Sequence, residues 1–229
     1  MDLPRLTASF DTFGMTRHNA ARPAITGSAI VAAHTRIARK SFMLDYAKVF
    51  ETGLSYNDFL AQYGTPEQQR RWAGIHADVR LSDAQGQLLS SFKRRMPVIV
   101  LAGAWCGDCV NQCPIFDHFA SASSVLDIRF FDRDANPELA AEMSVCGAAR
   151  VPAVMFFSED WFRCGHYGDR TLSKYRQMTS DFAGAACPTG LVSPERTLLD
   201  AVVQEWLNEF ERVQLMLRTS ARLRKLHND

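Results

Sequence analysis

The sequence predicts an α/β fold in which helices flank a mixed central sheet, with a helical extension before the sheet and a long helix after it. Three observations lead to this prediction. A continuous apolar run at 97–104, PVIVLAGA, is typical of a strand that is buried on both faces. Strand and helix patterns alternate after it, as they do in layered α/β domains. An apolar stripe with helical spacing then follows near the C-terminus.

The composition is that of a globular chain without a strong charge bias. Of the 229 residues, 47% are hydrophobic, and the formal net charge is +1. This charge gives no reason to expect nucleic acid or an anionic membrane as a partner. No apolar run approaches the roughly 18–20 residues that span a bilayer. Six cysteines are too few for a disulfide-built scaffold, and no signal-peptide pattern is visible, so we expect a cytoplasmic protein.

The patterning divides the chain into four regions. Residues 1–40 carry six Lys and Arg side chains against two acids and lack a clear apolar period. This predicts an N-terminal arm that is poorly ordered or docked, with an organelle transit peptide as the alternative. Residues 41–93 are expected to form a helical extension, residues 94–183 the α/β core, and residues 184–229 a loop and a long helix that packs on the core.

Helix start signals recur in the extension. The stretch TPEQ at 65–68 combines an N-cap residue, a proline at the first helical position and a capping-box glutamine. The stretch SDAQ at 82–85 repeats the capping box ahead of further apolar residues. Aromatic residues spaced four apart within 41–53 predict another helix, which Gly53 ends. We therefore expect three or four short helices before the first strong strand.

The core is predicted to begin with the strand at 97–104 and a helix from about Cys106 to Ser121. The run LDIRFFDRD at 126–134 predicts a second strand, in which Arg129 and Phe131 face opposite to Ile128 and Phe130. Asn136-Pro137-Glu138 then opens a helix. We expect that helix to end near Gly147.

The second half of the core is predicted to be a hairpin followed by helices. The run AVMFF at 153–157 predicts a third strand, which pairs with a fourth at 161–168 across a short turn. A helix over 171–183 and a loop at 184–191 follow. Ser193-Pro194-Glu195 opens the long last helix. The apolar stripe of that helix comprises Leu199, Val202, Val203, Trp206, Phe210, Val213 and Leu217.

The strongest functional signal is the motif Trp105-Cys106-Gly107-Asp108-Cys109, which joins a buried strand to the following helix. At a helix N-terminus, free backbone N–H groups and the macrodipole favour a thiolate. We therefore expect Cys106 to be an exposed nucleophile. Cys109, one turn later, is expected to attack the mixed disulfide that forms on Cys106.

Cys113 lies four residues after Cys109 on roughly the same helical face. We interpret it as a buried thiol that behaves as a small hydrophobe. Two alternatives stay open, an alternative redox partner and a metal ligand. A metal site usually needs four ligands, and the other cysteines have no paired spacing that would complete one, so we expect no metal. These other cysteines are Cys146, Cys164 and Cys187.

Four motifs, in order across about residues 95–183, resemble the thioredoxin superfamily. They are Trp105–Cys109, Pro114 in the following helix, Asp134–Pro137, and Gly147–Ala153 with Gly168 beyond it. The helical regions on either side resemble a bacterial branch of thioredoxin-like proteins. The resemblance implies a thioredoxin-like fold with a cis bond between Val151 and Pro152, and proline is the residue that makes a cis bond accessible.

The resemblance also implies where a substrate binds. The backbone of Val151 would pair with a bound polypeptide, and Trp105 would be a flat hydrophobic neighbour of the thiol. Trp105, Gly107, Val151 and Pro152 are therefore the expected substrate-binding residues. Asp169-Arg170, directly after Gly168, is interpreted as a loop ion pair rather than a substrate contact.

The chain departs from the family at the positions beneath the thiols. The buried acid of the family falls on Val100, and its partner lysine falls on Phe130, so the usual proton relay is expected to be absent. Asp108 replaces the usual proline between the cysteines. It is a candidate catalytic residue that accepts the proton of Cys109, and the alternative is a simple charge at the helix N-terminus.

The function expected from these features is thiol–disulfide oxidoreduction on protein or small-molecule disulfides, with Cys106 and Cys109 as the couple. The domain itself needs no cofactor, but a reductase or small thiol must recycle it. The competing hypothesis is a redox-sensing or non-catalytic interaction module on the same scaffold. The hydrophobic residues at 100 and 130 favour that alternative, and the intact Trp-Cys-x-x-Cys motif opposes it.

Overall fold

The structure, a computed structural model, describes residues 44–183 and 198–229. The predictions for the arm at 1–40, the loop at 184–191 and the helix start at 193–195 therefore lie outside the described residues. Within the described ranges, no helix is long and apolar enough to cross a membrane.

The described residues before the sheet, 44–95, are largely helical, as predicted. At the start of α3, the Thr65 hydroxyl accepts a hydrogen bond from the Gln68 N–H, and the Gln68 side chain accepts one from the Thr65 N–H at 2.9 Å. Ser82 and Gln85 form the same reciprocal cap on α4. Both predicted capping boxes are thus present. The helices are α1 (Tyr46–Glu51), α2 (Tyr56–Tyr63), α3 (Pro66–Asp78) and α4 (Asp83–Ser90).

The centre of the fold is a four-stranded mixed sheet with strand order β2-β1-β3-β4. β1 pairs with β2 in parallel and with β3 antiparallel, and β3 and β4 form an antiparallel hairpin. Every residue of β1 is buried, which explains its uninterrupted apolar sequence. The predicted fold class is therefore confirmed. The strands are β1 (Met96–Ala102), β2 (Leu126–Asp132), β3 (Ala153–Phe157) and β4 (Arg163–Gly168).

Three helices connect or follow these strands. α5 (Gly107–Ala122) links β1 to β2 and contains Pro114, and α7 (Leu172–Ala183) follows β4. Between β2 and β3 lies α6 (Pro137–Glu142), which is shorter than predicted. It ends well before Gly147, because Cys146 and Gly147 adopt positive φ angles of 52° and 74° in a turn that brings Val145 and Ala148 into a β-bridge.

The last two helices are α8 (Leu198–Thr219), which packs on α5 and β4, and α9 (Ala221–His227), which packs on α8. α8 carries the predicted apolar stripe, of which Trp206 and Phe210 are fully buried. The Trp206 ring lies 4.7 Å from Phe116 of α5, and the Phe210 ring lies 5.1 Å from Phe156 of β3. The helix ends earlier than its sequence pattern predicts, because Ser220 caps the separate helix α9.

Candidate active site

The two cysteines of the motif lie at the junction of β1 and α5. Cys106 is the N-cap residue of α5, with φ −81° and ψ 123°, and its side chain makes no capping hydrogen bond to the backbone. The backbone N–H groups of Asp108 and Cys109 lower the pKa of its thiol. The helix N-terminus thus contributes to the site in the way that the sequence predicts.

Cys106 is nevertheless less accessible than expected. It is only 9% exposed, and its thiol donates a hydrogen bond to the carbonyl oxygen of Val151 at 3.4 Å. The hydrogen bond with Cys109, together with burial, raises the pKa of the Cys106 thiol, which outweighs the effect of the helix N-terminus. The expectation that Cys106 is exposed is therefore wrong, whereas its role as nucleophile stays a prediction.

The side chains of Cys109 and Cys113 are more deeply buried than that of Cys106. Both are fully buried, and the Cys109 thiol is hydrogen-bonded to both Cys106 and Cys113. Burial raises the pKa of Cys109 well above its usual range. The complete burial of Cys113 agrees with its interpretation as a small hydrophobe, but its contact with Cys109 gives it a polar neighbour as well.

The cysteines on the described residues are all free thiols. Cys146 is exposed and Cys164 is partly buried, and Cys187 lies outside the described residues. In the part of the chain that the structure describes, no group of three or more His, Cys, Asp or Glu side chains is arranged to hold a metal ion.

The loop that faces the thiols has the conformation that the resemblance implied. The Val151–Pro152 peptide bond is cis, and Val151 provides the carbonyl oxygen that accepts the hydrogen bond of Cys106. Gly168, at the end of β4, packs against this loop with φ +152°. A Cβ atom there would lie 2.6 Å from the Pro152 carbonyl oxygen, so a side chain at this position would displace the loop.

The sheet beneath the thiols is apolar. Val100 of β1 pairs in register with Phe130 of β2, and both side chains are buried. The positions that hold an acid and a lysine in the resembling family are thus filled by two hydrophobic side chains here. The adjacent Tyr56 ring lies 5.8 Å from Phe130, and its buried hydroxyl has no hydrogen-bond partner among the residues that the structure describes.

The carboxylate of Asp108 contacts an arginine and not a thiol. Its Oδ2 atom lies 2.6 Å from the guanidinium of Arg170, which follows β4. The same guanidinium lies 2.8 Å from the carboxylate of Asp169. Because the ion pair balances the charge of Asp108, the like charge that the sequence placed beside Cys106 is largely neutralised. The interpretation of Asp169-Arg170 as a loop ion pair is consistent with this geometry, but the contact with Asp108 was not foreseen.

Besides Trp105, which the motif singles out, Arg133 and Gln112 border the site without a strong sequence signal. The Trp105 indole is 49% exposed next to Cys106, and the Arg133 guanidinium lies 4.5 Å from the centre of its ring. Behind Cys109, the buried Gln112 side chain donates to the Asp169 carbonyl oxygen at 3.0 Å. The helical spacing of Gln112 relative to Asp108 was the one available signal for it.

The comparisons with known proteins agree with this architecture. A thioredoxin family model matches residues 53–181. A protein of unknown function from Pseudomonas aeruginosa has a TM-score of 0.60 and 15% identity, over 75% of this chain and 97% of that chain. An HIV epitope scaffold has a TM-score of 0.52 and 17% identity, over 78% of this chain and 100% of its own. No curated protein matches. At these identities, the two structures support the fold alone.

Proposed function

This chain belongs to the thioredoxin family, and from that premise we propose that it is a thiol–disulfide oxidoreductase whose redox couple is Cys106 and Cys109. The observation that carries the proposal is the contact between two free thiols at the β1–α5 junction, of which the first also contacts the cis-proline loop. The interior thiol is positioned to attack a sulfur atom that is bonded to the outer one.

The reaction has two exchange steps. The Cys106 thiolate attacks one sulfur of a substrate disulfide and forms a mixed disulfide, while the second substrate sulfur leaves as a thiolate and takes up a proton. Cys109 then loses its proton and attacks the Cys106 sulfur, which releases the first substrate sulfur. The substrate gains two electrons, and Cys106 and Cys109 become a disulfide. A reductase or a small thiol supplies the electrons that restore the dithiol.

The substrate in this proposal is a protein or small-molecule disulfide. Its apolar part would lie on the exposed ring of Trp105, next to Gly107, and its backbone would pair with Val151 beside Pro152. Because the thiol of Cys106 is closed off by the Val151 carbonyl, the substrate must replace that hydrogen bond before the first exchange. The cytoplasmic location and the recycling partner stay predictions.

The proton acceptor for Cys109 also stays a prediction. Asp108 is the acid nearest to the thiols in sequence, but its carboxylate is held by Arg170 at 2.6 Å. To accept the proton of Cys109, it would have to leave that ion pair during the reaction.

A second candidate function has a specific observation in its favour. The low exposure of Cys106, together with the hydrophobic pair Val100 and Phe130 beneath the thiols, suits a protein that senses redox state or binds a partner without catalytic turnover. Each molecule of such a protein would react with one molecule of oxidant, and it would be reduced again only slowly.

Turnover distinguishes the two candidates. With dithiothreitol in excess, we expect the protein to reduce a model peptide disulfide many times per molecule. Cys106→Ser should abolish this activity. When Cys109→Ser is mixed with the peptide disulfide in the absence of dithiothreitol, it should accumulate a mixed disulfide on Cys106 that mass spectrometry maps. Cys146→Ser, which removes an exposed thiol outside the site, is the matched control and should leave the rate unchanged.

Two results would contradict the proposal. Full turnover in Cys106→Ser would place the nucleophile elsewhere. Stoichiometric oxidation to a Cys106–Cys109 disulfide without turnover would favour the redox sensor.

A further inference from the structure

Arg170 occupies an unusual position at the rim of the dithiol site. It follows β4 directly, and its guanidinium contacts two carboxylates from different parts of the chain, Asp108 at 2.6 Å and Asp169 at 2.8 Å. The arginine side chain is 22% exposed, and those of Asp108 and Asp169 are 17% and 3% exposed. Charges with so little access to solvent are weakly screened, so each one depends on its partner.

Asp169 holds Arg170 in place. Its carboxylate also accepts a hydrogen bond from the Tyr175 hydroxyl and lies 3.3 Å from the guanidinium of Arg150. Burial acts against ionisation, but the hydrogen bond from Tyr175 and the charges of Arg170 and Arg150 lower the pKa of Asp169. The carboxylate is therefore ionised at neutral pH and fixes the guanidinium next to α5.

Asp108 brings a negative charge into the first turn of α5, next to the thiols. Its backbone N–H faces the Cys106 sulfur, so a negative side chain sits in the same helical turn as the proposed nucleophile. A like charge near a thiolate raises the pKa of the thiol. The Cys106 thiol already has a raised pKa because of Cys109 and burial, so an unpaired carboxylate would suppress its reactivity further.

We propose that Arg170 is a positioning residue of the dithiol site, which draws the Asp108 carboxylate into an ion pair and thereby cancels its charge at the Cys106 sulfur. The inference rests on the proposed function and adds to it a residue that acts through Asp108. Among the described residues, Cys109 is the other titratable side chain that contacts the Cys106 sulfur, and the Val151 carbonyl oxygen accepts the hydrogen bond of the Cys106 thiol. Lys174 borders the same 250 Å³ hollow as Asp108, but its ammonium group donates to Gln177 at 3.1 Å.

The proposal predicts opposite effects for the two members of the ion pair. Arg170→Ala leaves Asp108 unpaired, so the thiol pKa should rise. Asp108→Asn leaves Arg170 partly unpaired, so the thiol pKa should fall. A shift of half to one pKa unit changes the thiolate fraction by about three- to tenfold. The double variant, Asp108→Asn with Arg170→Ala, should return close to the wild-type value.

The experiment measures the rate at which Cys106 of the reduced full-length protein is alkylated by iodoacetamide at pH 7–9, with the site identified by mass spectrometry. We expect the rate to fall about three- to tenfold in Arg170→Ala and to rise by a similar factor in Asp108→Asn. Arg170→Lys keeps the cation and should recover most of the lost rate. Lys174→Ala removes a nearby cation that is outside the ion pair, and it should leave the rate within about twofold of wild type.

The outcomes separate the inference from the proposed function. If partial unfolding explained the effects, both single variants would react faster, which thermal unfolding of each variant would detect. Rates that change in the same direction, or that do not change, would overturn the role of Arg170 while Cys106 remains the reactive thiol. Labelling of another cysteine in the wild-type protein would instead overturn the proposed function.

Discussion

At the scale of single residues, the thiols of Cys106 and Cys109 link the stability of the reduced protein to pH. Contact with the neighbouring thiol and burial raise the pKa of Cys106, and burial raises that of Cys109. In the unfolded chain, both thiols ionise near their ordinary pKa of about 8.5. Unfolding therefore releases protons above that pH, and stability must fall as the pH rises.

We expect these two thiols to leave the free energy of unfolding of the reduced protein unchanged between pH 6 and 8. Between pH 9 and 10, it should then fall by about 1.4 kcal/mol per pH unit for each thiol that stays protonated in the folded state. Urea unfolding in the presence of a phosphine reductant measures this slope below the range in which tyrosines ionise. Cys109→Ala should make the slope shallower, whereas Cys146→Ala should not. An unchanged slope in Cys109→Ala would contradict the linkage.

Some residues of the site could be identified from the sequence, and others could not. Cys106, Cys109 and Pro152 stand in motifs whose residue types and spacing carry their chemistry. The ion pair between Asp108 and Arg170 joins positions 62 apart in the sequence. It depends on where the turn after β4 approaches α5. No local pattern contains that information.

At the scale of elements, α5 is tied to its surroundings by one buried amide. The Gln112 side chain accepts a hydrogen bond from the Trp206 indole N–H at 2.8 Å and donates one to the Asp169 carbonyl oxygen at 3.0 Å. It thereby connects α5 to α8 and to the turn after β4. Gln112 is only 2% exposed, so water could not replace the amide as the hydrogen-bond partner of the Trp206 N–H or the Asp169 carbonyl oxygen.

Replacement of this amide tests the connection. Gln112→Met is similar in size but leaves the Trp206 N–H and the Asp169 carbonyl without that partner. Each unsatisfied group costs about 1–3 kcal/mol, so we expect a loss of about 2–4 kcal/mol in the free energy of unfolding. Gln87→Met, the same change at an exposed position of α4, should alter stability by less than about 0.5 kcal/mol. Equal effects of the two substitutions would mean that the amide does not stabilise the junction.

The elements also show which boundaries sequence patterns can predict. The capping boxes at Thr65 and Ser82 mark the starts of α3 and α4 correctly, because a cap is formed by residues within one turn. The end of α6 was placed too late, because the turn through Cys146 has a non-glycine residue at positive φ and therefore no strong local signal. The break at Ser220 was missed for a related reason, since a serine inside a polar helical stretch does not itself end a helix.

At the scale of the whole molecule, the buried side chains of α8 belong to the same hydrophobic core as those of the sheet. These side chains of α8 pack on α5 and on the face formed by β3 and β4, as the ring contacts of Trp206 with Phe116 and Tyr167 show. The sequence predicted this packing because one stripe of α8 is apolar along its length. We infer that α8 is an integral part of the fold rather than an appendage.

Two leucines on α8 allow a matched test of this inference. Leu207 is 1% exposed and belongs to the core, whereas Leu215, two turns later, is 51% exposed. Leu207→Ala removes buried methyl groups and leaves a cavity, so the free energy of unfolding should fall by about 2–5 kcal/mol. Leu215→Ala removes the same atoms from a surface position, and we expect a change within about 0.5 kcal/mol. Chemical unfolding followed by tryptophan fluorescence would report both values in one transition, because Trp72 and Trp206 are fully buried in the same core cluster. Two results would contradict the inference: a loss of stability in Leu207→Ala as small as that in Leu215→Ala, or a separate unfolding transition of α8. Either result would mean that α8 is a detachable addition to the sheet. In that case α8 would not maintain the long-range contacts that position Gln112.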